Sequence, residues 1–594
     1  MESLTTSYIV IAAYLLLLVG LGVAFTKLNK DALDYFRSGS QGTWWLIGMS
    51  GLMSGISALT FTGNAGKAYD AGLSVLVIYL GSTVGFFFQF LFVGPWFRQL
   101  RAVTPPEVIR MRYGPTTQQL YAYAGVPFFY IGAGLWLWGL AIFASSVFGL
   151  PLQATIIGLG LVVLFYATTG GSWAVLATDF VQSLVLLPLT LLMAFLALRE
   201  IGGVGALLEA LSAAGVSERY AMVNPPGMFP DDANTWGWAI ATIFVFGFGH
   251  VSLGASAKFF AVKDGREARK SALLSCVLIT LGSAVWFIPP MVGRLLYHDE
   301  IMQAPLSNPA EASYAVTAIN LLPAGMMGLM VVAMFSATMS SMDTGINRNA
   351  AVIVRDIIPS LLRLFKKPVP DDRQQLFISR LLTVVSASLV IGVALFYAEN
   401  AGPGGMFKVM MDIMSKIGLP MTAPLVLGLF IKRVPRWSAI FTMVCGVVPS
   451  LWFYFAGISV SFQHSVAVVL SSCIFSFLLT KLFWKYETEA YKSSVEAFFR
   501  RMKTPVNFEE EVGEPNDHLQ MRIIGLFTLA LAVFILGLSF IQEDATGVYC
   551  IFGLGGFLLV FGLGMILSAK RYQKKRANVA GRGTNRNRHD IETT

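Results

Sequence analysis

The chain has 594 residues, of which 55% are hydrophobic and only 13% charged, with a formal net charge of +9. So much apolar surface excludes a soluble globular domain of this length and places the chain among polytopic membrane proteins. The positive charge does not imply nucleic acid, because Lys and Arg fall in alternate loops rather than on one patch.

A helix needs about 20 apolar residues to cross the hydrocarbon core, and by that measure the sequence predicts about fifteen spans. They lie near 7–26, 44–64, 72–98, 118–147, 151–170, 174–199, 235–258, 271–297, 324–356, 377–398, 404–431, 436–456, 462–484, 520–541 and 547–568. The first run follows "MESLTTSYIV", which lacks a basic leader, and reads as a retained span rather than a signal peptide. The loops "KLNK", "RQLRAV", "KDGREARK", "KRVPR" and "RRMK" and the tail "KRYQKKR" are basic, whereas "PDDANT", "HDE", "EN" and "QEDAT" are acidic or neutral. The positive-inside rule then puts the N-terminus outside and the C-terminus in the cytoplasm. Loop 200–234 contains "GGVGALLEALSAAG", a short surface helix. Segment 485–519 opens on "KYETEAYKSSVEAFFRRMK", whose mixed charges and helical apolar spacing predict an amphipathic interfacial helix, followed by a linker. The basic tail reads as disordered. Cys276, Cys445, Cys473 and Cys550 all fall inside spans, as buried small hydrophobes rather than disulfide partners or metal ligands.

Two spans differ from the rest. "WWLIGMSGLMSGISALTFTGNAG", Trp44 to Gly66, and "WGWAIATIFVFGFGHVSLGASAK", Trp236 to Lys258, both open on Trp and carry glycines and hydroxyls at membrane depth. Singly, such glycines serve close helix packing. As the second and seventh spans they stand at corresponding points of two halves, the pattern of broken helices in an inverted-repeat transporter.

The stretch "FSATMSSMDTGINR" adds a chemical signal. On a helix, Ala337, Ser340, Ser341, Thr344 and Asn347 form one stripe, with Asp343 at its edge. Each hydroxyl alone could bond the carbonyl one turn back. A carboxylate at the membrane centre costs about 2.5–3.5 kcal/mol to insert and needs a cavity or a partner. Hydroxyl and carbonyl oxygens with a carboxylate suit a hard cation. A second carboxylate, Asp179 in "GGSWAVLATDFVQ", is a candidate neighbour, or else a purely structural hydrogen-bonding group.

The order of "WWLIGMSGLMSGISALTF", "TPPEVIRMRYG", "TTGGSWAVLATDFVQ", "KFFAVKDGREARK", "FSATMSSMDTGIN" and "PLVLGLFIKR" resembles the sodium/solute symporters, from about residue 44 to 436. The resemblance implies an all-α polytopic membrane protein with the leucine-transporter-type 5+5 inverted repeat and accessory helices. It divides the chain into an N-terminal accessory span and loop (1–43), a first five-helix repeat (44–199), an extracellular loop (200–233), a second repeat (234–432), two accessory spans (433–484), the cytoplasmic segment (485–519), two C-terminal spans (520–569) and the basic tail (570–594). It also implies one or two sodium ions. The principal site would use carbonyls of Met53, Ile56 and Ala337 with hydroxyls of Ser340 and Ser341. A second would use Asp179, Ser340, Asp343 and Thr344, where Asp343 departs from the hydroxyl or small residue expected and could strengthen a sodium site or hold a proton.

The solute is less legible. Where the family's sugar transporters place Gln or His, Glu, Asn and Lys, this chain has Thr60, Tyr79, Val245 and Ile279, and Ser82 alone matches. The family's sialic-acid transporters place hydroxyls where this chain has Ser57 and Thr60. Candidate solute contacts are therefore Ser57, Thr60, Tyr79, Ser82 and His250, with Ser252, Trp136 and Trp138 nearby and Asp412 and Lys416 reading as a mutually neutralising pair. The implied function is sodium-coupled symport of a small polar solute (a sugar, a polyol or a sialic-acid-like carboxylate) across the plasma membrane, or the inner membrane in a bacterium. The alternatives are a non-transporting solute sensor of the same fold, a proton-coupled transporter and a channel. No nucleophile–base arrangement points to an enzyme.

Overall fold

The computed structural model describes residues 2–26, 38–167, 172–323, 325–368, 370–402, 404–542 and 545–592. Among these the regular structure is helical, apart from one isolated bridge between Gly42 and Val262. Ten helices are long and apolar enough to cross a membrane, or eleven if the bent pair Trp236–Val251 and Leu253–Ala261 is one span. By length and composition alone the expected count of about fifteen is not reached, because Ser7–Leu21, Leu152–Leu164 and Met326–Met342 are shorter apolar helices and the 44–64 run breaks after Gly55.

The helices that position the site are α1 (Glu2–Thr26), α2 (Trp44–Gly55), α3 (Gly63–Ala71), α4 (Leu76–Phe88), α5 (Pro115–Phe148), α6 (Leu152–Ala167), α7 (Ser172–Ile201), α8 (Trp236–Val251), α9 (Gly265–Trp286), α10 (Met326–Val352), α11 (Asp372–Asn400), α12 (Gly405–Ile413) and α13 (Leu419–Phe430). They sort by contact into two groups. In one, α8 packs on α4, and α9 packs on α2 and α4. In the other, α5, α6, α10 and α11 pack on one another. Helix α7 lies against both α2 and α10, and so joins the groups. Small residues permit the close approaches: a side chain on Gly51 of α2 would meet the Ser275 hydroxyl of α9 at 2.6 Å.

The remaining helices are peripheral. Helices α14 (Ser438–Phe455) and α15 (Phe462–Leu479) pair beside α13. After α16 (Glu489–Lys503), α17 (Asp517–Gly537) and α18 (Ala545–Glu592) form a hairpin, with α1 against α17. The predicted surface helix in the 200–234 loop is present as Val204–Ala213.

Two peripheral expectations change. The apolar face of α16 is not left for lipid: Tyr491, Val495, Phe498 and Met502 are buried against the protein. Arg112 holds it there, donating from Nη1 to the Tyr491 hydroxyl at 3.3 Å while its guanidinium lies 5.4 Å from the Phe499 ring. The tail, expected to be disordered, continues α18 as helix to Glu592, the first part of it rich in the helix formers Ala, Lys, Arg and Gln.

Candidate functional site

Both interrupted spans are broken where the sequence predicts. Helix α2 ends at Gly55, and Ile56 (φ −124°, ψ 139°) and Ser57 (φ −148°, ψ 180°) are extended before the chain turns through Ala58–Phe61 into α3. Helix α8 ends at Val251, and Ser252 (φ −57°, ψ 155°) breaks it, bending the pair by 44°. The Ser252 hydroxyl accepts from the Ala255 amide at 3.3 Å and so caps the second half. A helix end leaves its last carbonyls without intrahelical partners and carries a partial negative charge. Met53 and Ile56 stand at such an end, 0% and 1% exposed.

Helix α10 lies directly against this break. The Ala58 amide donates to Thr338 Oγ1 at 3.0 Å, and that hydroxyl donates back to the Met334 carbonyl at 3.1 Å. Ala337 and Ser340 flank the contact and are buried, Ser341 is half-buried, and Ser340 Oγ has no hydrogen-bond partner among the described residues. The break and the stripe therefore meet, with a buried hydroxyl unsatisfied beside helix-end carbonyls, a donor set that fits a small hard cation. Helix α5 backs the same place closely, since a side chain on Gly139 would come within 3.2 Å of the Leu59 amide and the Thr62 hydroxyl.

Asp179 on α7 is fully buried and meets α2 at Ser50, before the break at Ile56. Its Oδ2 accepts a short hydrogen bond from the Ser50 hydroxyl of α2 and is paired with Lys258 Nζ at 3.3 Å. Sequence reasoning offered Asp179 either a free cation or a structural hydrogen bond, and missed Ser50 and Lys258 as its partners. The signal was available, since Lys258 closes the apolar segment already read as broken. The side chains of Asp343 and Thr344 lie outside the described residues.

The solute candidates divide. Ser57, Thr60 and Tyr79 are buried around the break, and Tyr79 Oη accepts from Asn64 Nδ2 at 2.9 Å. Tyr79 also packs on Trp286 and Phe287, with ring centroids 5.7 and 5.2 Å away, forming an aromatic wall. Asn64 Oδ1 and Trp138 Nε1 are buried without partners among the described residues; Asn64 is an addition that the sequence reading lacked. Ser82 donates to the Ile78 carbonyl one turn back at 3.2 Å, so its donor is used within its own helix while its oxygen can still accept. His250 stands against the end of α2: a side chain on Gly55 would come within 3.4 Å of its Cε1, and its ring centroid is 4.5 Å from that of Phe86. Asp412 and Lys416 pair at 2.8 Å, as their spacing predicts.

A further buried carboxylate lies against α3, where a side chain on Gly66 would meet the Glu311 amide at 3.2 Å. Glu311, in the loop before α10, is 1% exposed and its Oε1 accepts from the Met406 amide of α12 at 2.6 Å. Burial pushes its carboxyl up to about 7, against the opposing pull of the bonds from Met406 and Asn308.

The model of the sodium:solute symporter family matches residues 35–446. The chain belongs to the sodium:solute symporter family. Among curated symporters, the sodium/sialic acid symporter NanT of Aliivibrio fischeri is 25% identical over 495 residues, covering 81% of this chain and 94% of that protein. The sodium/glucose cotransporter 2 of Rattus norvegicus is 27% identical over 501 residues, covering 75% of this chain and 70% of that protein. A solved sodium-coupled sialic acid symporter in a substrate-bound outward-open state shares the fold, with a TM-score of 0.66 at 19% identity over 80% of this chain and 98% of that one. The symporter is thus a multi-pass membrane protein of the leucine-transporter-like class, a transporter and not an enzyme, and sodium is its coupling ion.

Proposed function

We propose that this symporter carries a small polar organic solute together with sodium by alternating access, across the plasma membrane or a bacterial inner membrane. The observation that carries the reading is the contact between the extended break after α2 and the hydroxyl-bearing face of α10. In it the carbonyls of Met53, Ile56 and Ala337 and the hydroxyls of Ser340 and Ser341 hold the sodium. The ion thereby ties α2 of one helix group to α10 of the other. Movement between the groups then requires the ion to be bound or released, which is the physical basis of coupling.

The solute sits beside the break against Ser57, Thr60, Tyr79 and Asn64, with the Trp286–Phe287 wall behind. Hydroxyls and an amide with an aromatic face suit a hydroxylated solute: a sugar, a polyol or a sialic-acid-like carboxylate, in keeping with the solutes named for the related symporters. Ser82, on the helix of Tyr79, and His250, against Gly55 at the end of α2, complete the candidate contacts. A second sodium at Asp179, Ser340, Asp343 and Thr344 is opposed by the ammonium already on Asp179. We also infer the finer architecture: about fifteen spans, two inverted five-helix repeats over 44–199 and 234–432, the N-terminus outside and the C-terminus cytoplasmic. Its support is the pair of breaks, placed at corresponding points, and the alternation of basic loops.

The test is a thermal-stability screen of the purified protein against neutral sugars, polyols and sugar carboxylates, in sodium and in potassium. A solute at about 100 times its Kd adds about 2.7 kcal/mol of stability. Stabilisation by one class, larger in sodium, supports the reading; equal stabilisation in both salts contradicts it.

A further inference from the structure

From the surroundings of Asp179 we infer that Lys258 supplies the cation at that carboxylate, so that a tethered ammonium stands where a second sodium would bind and only one sodium accompanies each solute. The inference rests on the sodium-site reading above and adds the stoichiometry of that site.

Three oxygens converge on Lys258 Nζ: the Ser50 carbonyl at 2.5 Å, the Ser50 hydroxyl at 2.5 Å and Asp179 Oδ2 at 3.3 Å. An ammonium has three N–H donors and no acceptor, so these three acceptors use all of its hydrogen-bonding capacity. Ser50 completes the arrangement by accepting from the ammonium and donating to the carboxylate. The side chain of Asp179 is 0% exposed and that of Lys258 is 19% exposed. A carboxylate, a hydroxyl and a carbonyl in a buried place are the ligands a hard cation would choose, and the chain's own charge takes them. The net charge of the pair is zero, so a free sodium arriving at Asp179 would face a neutralised carboxylate and a neighbouring ammonium. Arg348 adds a further positive charge within electrostatic reach of Lys258. Of the Asp179 carboxylate, only Oδ1 has no partner among the described residues, so a single oxygen of that group is left for any further cation.

The consequence is energetic. A tethered ammonium does not cross the membrane and moves no charge inward. Relative to a two-sodium symporter, the chain forgoes about fifty-fold of solute accumulation per 100 mV. It gains a site that is filled whatever the external sodium concentration.

The experiment counts sodium directly. Radioactive sodium is titrated onto the purified full-length protein, without solute, for the wild type, Lys258→Arg and Lys258→Met. The wild type and Lys258→Arg are expected to bind one sodium per chain. Lys258→Met, which frees Asp179 and Ser50, is expected to bind two. Two sodium ions on the wild type would overturn the inference while leaving the principal site standing. No saturable sodium on the wild type would overturn the site reading beneath it. A folded Lys258→Met that still binds one would show that Lys258 does not occupy a cation's place. Should that variant fail to fold, the wild-type count decides alone.

Discussion

Glu311→Gln tests whether this buried carboxylate is held in its neutral form. Glu311 is 1% exposed, one oxygen bonded to the Met406 amide and the other, Oε2, buried without a partner among the described residues. Burial pushes this carboxyl from 4.5 up to about 7. The sign follows from proton counting. Between those two values the folded state keeps a proton that the unfolded chain has released. Stability therefore falls as pH rises through that window and is level above it, the reverse of an ion-paired carboxylate. The span corresponds to about 3 kcal/mol in total. Glutamine keeps the carbonyl that accepts from Met406 and cannot titrate. Thermal unfolding in detergent from pH 4.5 to pH 8, followed for both proteins, gives the difference. The wild type is expected to lose about 3 kcal/mol relative to Glu311→Gln across the window. Parallel pH profiles for the two proteins would refute the reasoning.

Three other outcomes follow from named contacts. Ser340→Ala and Ser341→Ala each remove one neutral oxygen ligand, worth about 1–3 kcal/mol, so half-maximal sodium for uptake should rise roughly five- to 150-fold with the fold intact; unchanged sodium activation in both would remove the assignment. Arg112 donates to the carbonyls of Gly428, Ile431 and Lys432 at 3.0 Å each. Arg112→Ala should destabilise by about 3 kcal/mol by leaving the buried Gly428 carbonyl and the partly buried Ile431 and Lys432 carbonyls without these donors, with Arg112→Lys recovering only part because an ammonium lacks the planar fork; thermal unfolding compares them. Gly345→Ala puts a methyl 1.9 Å from Phe129 Cε2 across the α5–α10 contact, and should cost about 1–3 kcal/mol, read in the same assay.

Much of this site was visible in the sequence because broken membrane helices need residues that ordinary spans avoid. Glycines and hydroxyls after a leading Trp marked both breaks, and the backbone departs from helix at Ile56–Ser57 and at Ser252. The oxygen stripe on α10 was legible from helical periodicity, although which break it faces is a long-range contact that periodicity cannot give. Lys258 was overlooked for a physical reason. A basic residue at the end of an apolar run reads as a flank at the membrane surface, yet a long flexible stem can carry its ammonium back to a buried carboxylate. The amphipathic period of α16 was likewise clear, but a hydrophobic face does not say whether lipid or protein covers it. Arg112 and its bond to Tyr491 settle that in favour of protein. Ser82 shows what periodicity leaves open: its hydroxyl donates to its own helix and keeps only its acceptor side for a solute.

The central claim, that sodium bound between α2 and α10 drives solute uptake, is tested most directly in proteoliposomes holding the purified protein. Uptake of the solute identified by thermal stabilisation is followed under an inward sodium gradient, then under an equal potassium gradient, at a fixed membrane potential. The account predicts accumulation above equilibrium only with sodium, lost in the Ser340→Ala Ser341→Ala double variant. Equal uptake in both salts, or accumulation in the double variant matching the wild type, would contradict it.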